Sequence, residues 1–134
     1  MSVDTTQTTM QKLIATTKAM FADDKGLLAM DESTPTCNKR FAAAGIPQTE
    51  EARRRYRELI LTTPGLGDSI SGVILYDETI RQSSKDGTPF VKIINDAGII
   101  PGIKVDMGAK AGVPTPCCRA VRDILALYVD GKPA

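Results

Sequence analysis

Three short apolar runs, each closing on charged residues, restrict this chain to a few architectures. Leu27–Met30, Ser71–Tyr76 and Ile99–Val105 have the length of buried strands; the third is interrupted by Pro101 and Gly102. They lead into Asp31, into Asp77 and Glu78, and into Lys104 and Asp106. Helical patterns separate them. Strands alternating with amphipathic helices argue for βα units and a parallel sheet. Functional groups gathered at the C-terminal ends of such strands are where α/β barrels and open α/β sheets place their sites.

The helices are legible from spacing and punctuation. Leu13, Ile14, Met20 and Phe21 follow Met10 at helical intervals, and the pattern stops before Asp23–Gly26. Residues 2–9 are polar and threonine-rich, so a loosely ordered start is expected. A helix over Thr36–Ala44 should end at Gly45, a residue suited to a left-handed cap. Thr49 should cap a helix running to Leu61, with Glu50 and Glu51 in the first turn where the helix dipole favours them. Residues 64–68 and Asp86–Gly87 read as turns, and Phe90–Ala97 as a short helix stopped by Gly98. After a loop over 108–116, Val121, Ile124, Leu125, Tyr128 and Val129 define a last amphipathic face.

Charge and cysteine usage narrow the function. Seventeen basic residues against 16 acidic ones give a net charge of +1, with no basic footprint for nucleic acid. Arg53-Arg54-Arg55, with Arg57 and Glu50, Glu51 and Glu58, reads as a solvated helix face laced with charge pairs. No stretch approaches a membrane span, and no leader pattern is visible. Three cysteines, Cys37, Cys117 and Cys118, imply no disulfide framework and suit a reducing, cytoplasmic setting. Histidine is absent, which removes imidazole bases and most transition-metal sites. Catalysis, if present, falls to lysine and carboxylates.

The segment Leu27–Arg40 is the richest in chemistry. Asp31, Ser33, Thr34, Thr36, Lys39 and Arg40 follow one another through a strand-to-helix turn. Hydroxyls and helix-terminal N–H groups can take phosphate oxygens, cations can offset the charge, and a carboxylate can address sugar hydroxyls. An ordinary helix cap with a solvated Lys–Arg pair accounts for the same spacing, and spacing alone leaves both readings open.

The order of several motifs adds to this. Lys25–Thr34, Asn38–Arg40, Thr49–Leu59, Gly72–Thr79, Asp86–Phe90 and Pro101–Asp106 together resemble the first part of class I fructose-1,6-bisphosphate aldolase, across roughly residues 10–112. The resemblance implies a (β/α)8 TIM barrel. It implies reversible cleavage of fructose 1,6-bisphosphate to dihydroxyacetone phosphate and glyceraldehyde 3-phosphate through a lysine Schiff base, without metal or other cofactor. By position, Asp31 matches the aspartate that contacts substrate hydroxyls near the reacting carbons. Ser33 and Thr36 stand where the family has serines near substrate, Thr36 being a substitution. Lys39 and Arg40 match a basic pair on a substrate phosphate. Lys104 matches a third-strand lysine that polarises the reacting oxygens, and Asp106 would orient it.

The same resemblance sets expectations for what these residues lack. The family's Schiff-base lysine belongs to the sixth strand and its proton-shuttling carboxylates to the fourth and fifth. A (β/α)8 barrel takes about 250 residues, and this sequence has 134. The expectation is one partial α/β barrel domain: an N-terminal helix and about the first three βα units, with 1–9 as a flexible tail and 113–134 as a divergent segment. Such a piece should be inactive alone. It should self-associate or pair with a C-terminal half, because a three-stranded piece of barrel has two open edges. The alternative is a non-catalytic fragment that binds sugar phosphate or complements another barrel.

Overall fold

A computed structural model describes residues 5–103 of the chain. Lys104, Asp106, Cys117, Cys118, the loop over 108–116 and the helix expected over 121–129 lie outside the described residues. Helix α1 (Thr5–Met20) leads through a 3₁₀ turn (Ala22–Asp24) into strand β1 (Gly26–Met30). Then come α2 (Thr34–Ala43), α3 (Glu50–Leu61), α4 (Leu66–Ser69), β2 (Ile70–Leu75), α5 (Asp77–Ile80), α6 (Phe90–Asp96) and β3 (Ile100–Ile103). The strands form one parallel sheet in the order β1-β2-β3. Sequential parallel strands lying side by side are the winding of a barrel, whereas a doubly wound sheet reverses its order at a switch point. The described residues are thus part of an α/β barrel.

Register decides which side chains share a face. Leu28 pairs with Val73 and Met30 with Leu75, and these pair onward with Pro101 and Ile103. Side chains alternate along a strand, so these residues form one face, and α3 and α6 cover it. Met30, Val73 and Leu75 from the sheet meet Leu61 of α3, Phe90 and Ile94 of α6, and Ile99, all buried. The opposite face carries Leu27, Ala29, Gly72, Ile74, Ile100 and Gly102. In a closed barrel that face lines the interior.

Local signals explain most boundaries. Thr49 Oγ1 accepts a hydrogen bond from the Ala52 N–H at 3.2 Å and caps α3 as its sequence implies. Gly45 (φ 67°) and Gly98 (φ 72°) follow α2 and α6 in the left-handed conformation that closes a helix. Asp86 Oδ1 accepts from the Thr88 N–H at 3.0 Å, fixing the turn that returns the chain to α6.

Three expectations are corrected. Helix α1 starts at Thr5, ahead of the apolar pattern, because threonines tolerate a helix that their polarity does not announce. The turn expected over 64–68 holds the single-turn α4, and the residues after β2 coil into α5. The buried stripe of α3 is Arg53, Arg57 and Leu61, so two arginines of the face read as solvated point inward. Leu59, apolar in sequence, is 72% exposed.

Phe90 is completely buried at the centre of this packing. Phe90→Ala is expected to cost about 3–5 kcal/mol, read as a drop in the urea midpoint. A change under about 1 kcal/mol would show that α6 is not seated on the sheet as described.

Candidate functional site

The strand ends set the level of the site. Met30, Leu75 and Ile103 lie in one register row, so the residues that follow β1 and β2 emerge together at the C-terminal edge of the sheet. Asp31 comes first after β1. Ser33 is the N-cap of α2, in extended conformation, with Pro35 in the helix's first turn, a position that needs no N–H donor. The Ser33 hydroxyl does not cap the helix; it lies 3.0 Å from the Thr36 hydroxyl. One turn on, Lys39 and Arg40 are exposed. Five of the six expected site residues therefore lie on a single turn and the first two turns of one helix. The sixth, Lys104, lies outside the described residues.

Beneath this turn sits a charge network. Glu32 turns inward and divides its carboxylate: Oε2 accepts from Arg57 Nη1 at 2.6 Å and Oε1 from Arg40 Nη1 at 2.6 Å. Arg57 is 2% exposed. Its Nη2 also donates to the Glu32 carbonyl at 3.2 Å and approaches Cys37 Sγ at 3.4 Å. Its guanidinium carbon lies 5.1 Å from the Tyr56 ring centre. A buried guanidinium is tolerable only when its donors are spent in this way. Arg53, one turn earlier, grips Glu78 with two parallel hydrogen bonds of 2.7 and 2.8 Å and donates to Asn38 Oδ1 at 2.9 Å. Adjacent donors of α3 thus anchor the turn after β1, the body of α2 and the segment after β2.

The remaining charges of α3 form the expected pairs, although the Arg54 and Glu58 side chains are largely covered rather than solvated. Arg54 pairs with Glu51 and Glu58 at 2.7 Å each, and Arg55 is exposed. Glu78 stands among the strand-end residues that the sequence marks, whereas Glu32, Arg53 and Arg57 carry no such mark as site-forming. The signal that could have found them is the stripe obtained by stepping back four residues at a time from Leu61, which lands on Arg57 and Arg53.

Titration follows from this geometry. Burial pushes the Glu32 carboxyl upward, but hydrogen bonding and charge from Arg57, with a hydrogen bond from Arg40, outweigh it; the net position is below the ordinary carboxylate range. Burial raises the Cys37 thiol, and the neighbouring Arg57 only partly offsets this. Cys37 is accordingly a protonated, inward-facing thiol rather than a nucleophile.

Comparison with known proteins defines the class. The family model for class I fructose-bisphosphate aldolase, the glycolytic type, matches residues 12–116. The chain belongs to the class I fructose-bisphosphate aldolase family. It is 61% identical over 106 residues to the Xanthomonas campestris pv. campestris protein named probable fructose-bisphosphate aldolase class 1, covering 78% of this chain and 32% of that one. It is 54% identical over 130 residues to the fructose-bisphosphate aldolase of Echinococcus multilocularis, covering 91% of this chain and 36% of that protein. A solved structure of fructose-bisphosphate aldolase from Plasmodium falciparum superposes with a TM-score of 0.69 at 44% identity, over 71% of this chain and 27% of that chain. The chain spans about a third of the length of the curated relatives it matches.

A carboxyl whose folded-state pKa lies below its unfolded value adds stability above the unfolded pKa and loses it as pH falls through the folded one. Glu32 is such a group. Stability should fall below the ordinary carboxylate range of about pH 4–5, and Glu32→Gln should flatten that fall. Urea midpoints measured from pH 7 to pH 3 decide it: equal slopes in both proteins would remove Glu32 from the account.

Proposed function

We propose that these residues serve the class I aldolase reaction, the reversible cleavage of fructose 1,6-bisphosphate to dihydroxyacetone phosphate and glyceraldehyde 3-phosphate through a lysine Schiff base. The observation that carries the reading is the clustering of Asp31, Ser33, Thr36, Lys39 and Arg40 at the C-terminal edge of a parallel sheet, in a chain of that family. Lys39 and Arg40 take a substrate phosphate, and the Ser33 and Thr36 hydroxyls lie beside the bound sugar. Asp31 addresses the hydroxyls near the reacting carbons. Lys104 is assigned by resemblance to polarise the reacting oxygens. The roles are supporting ones, and the amine that forms the Schiff base lies outside these residues. The chemistry needs neither metal nor cofactor. We assign it to the cytoplasm, where glycolytic reactions and free thiols coexist, although the Arabidopsis thaliana relative is chloroplastic by name.

Two experiments test this reading. Lys39→Ala and Arg40→Ala should each weaken dihydroxyacetone phosphate binding by about fivefold or more, the scale of lost charge-assisted hydrogen bonds. Unchanged binding in both would count against the phosphate site. Borohydride reduction of the chain with the same ligand should leave its intact mass unchanged. One trapped adduct mapped to a lysine would overturn the supporting assignment.

A second reading concerns partners. Among the described residues β1 and β3 each have one edge without a strand partner, and on the face carrying Leu27, Ile74 and Ile100, which Met20 of α1 meets beside Gly72, Leu27 stays 38% exposed. Open edges and an apolar face favour further strand pairing, so we propose that the 134-residue chain self-associates or pairs with the C-terminal half of a barrel. Light scattering on the purified chain should report oligomers. A monodisperse monomer with a cooperative thermal transition would defeat the proposal.

A further inference from the structure

We infer that the buried Arg57 supplies the electrostatic backing of the anion subsite, cancelling Glu32 so that the charge of Arg40 remains available to a phosphate. The inference rests on the reading of Lys39 and Arg40 as phosphate ligands and adds a positioning residue that touches no substrate. Its basis is one carboxylate shared between two guanidinium groups at 2.6 Å each. The side chains grade from inside to outside, Arg57 at 2% exposure, Glu32 at 20% and Arg40 at 64%.

Consider the layers separately. Arg40 and Glu32 alone are a neutral pair at the surface, and an incoming anion would meet the carboxylate as closely as the cation. Arg57 behind them adds a second guanidinium charge. The trio of two cations and one carboxylate therefore presents one net positive charge to solvent. Arg40 engages Glu32 through Nη1, and a planar guanidinium has further donors that can reach a phosphate. The neighbouring Arg53–Glu78 pair is internally neutral, so it does not supply the missing charge.

The same geometry explains why the arginine is placed on α3 rather than at the surface. A surface cation would itself be screened and mobile. At 2% exposure, Arg57 is screened far less, and its donors to Glu32 and Cys37 fix its orientation.

The test measures the Kd of inorganic phosphate for the full 134-residue chain, with circular dichroism and urea unfolding as folding controls. Arg57→Met should weaken phosphate binding by about fivefold, because Glu32 then neutralises Arg40. Adding Glu32→Gln to that variant should return the Kd to within about twofold of the parent. A purely structural role for Arg57 predicts no such rescue, and failure of the double variant to recover would overturn the inference. If Arg57→Met does not fold, Glu32→Gln alone carries the test: phosphate should bind at least as tightly as to the parent, and weaker binding would show that Glu32 positions Arg40 instead. Arg40→Gln separates the two levels of argument. Undiminished phosphate binding in that variant would sink the phosphate reading and this inference with it, whereas weaker binding there with no effect of Arg57→Met would sink the inference alone.

Discussion

The ion pair between Arg57 and Glu32 is the contact on which the functional edge of this fold depends. It joins the middle of α3 to the first turn after β1, across 25 residues of sequence. Together with the Arg57 bond to the Glu32 carbonyl, it holds the segment carrying Asp31, Ser33 and Thr36 against α3 as well as on the β1 backbone. Buried ion pairs contribute little net stability, because desolvation consumes most of the Coulombic gain, yet breaking one is costly. Such a pair is better understood as a device that specifies where a loop lies than as a source of folding energy. Hydrophobic packing around Phe90, Leu75 and Met30 supplies that energy.

Arg53 repeats the arrangement one turn away. Its two parallel hydrogen bonds to Glu78 reach the segment after β2, and its third donor reaches Asn38 in α2. One helix face therefore registers two successive strand ends and the helix between them. Barrel sites draw residues from several strands, so their geometry is only as good as the relative placement of the loops. Here that placement is set by arginines at i and i+4, whose rigid planar donors suit the task better than a flexible lysine would.

Much of the fold was legible because its signals are local. Thr49, Gly45, Gly98 and the Asp86–Gly87 turn each act within a few residues of themselves, and each does in the structure what its chemistry implies. The clustering of Asp31, Ser33, Thr36, Lys39 and Arg40 was legible for the same reason, since all five lie on ten consecutive positions. The inward turn of Arg53 and Arg57 was not. Charge alone places arginine in water, and only partners distant in sequence, Glu32 and Glu78, reverse that preference.

The division follows from range. By itself the sequence determined the three strands and the longer helices, their caps, the parallel α/β class and the family, because periodicity, caps and ordered motifs are properties of neighbouring residues. Only the tertiary structure decided which face of α3 is buried, how Glu32 is shared between Arg57 and Arg40, and which strand residues share the core. Those outcomes depend on burial, which exposes each polar group to either water or a partner and is defined only once distant segments meet.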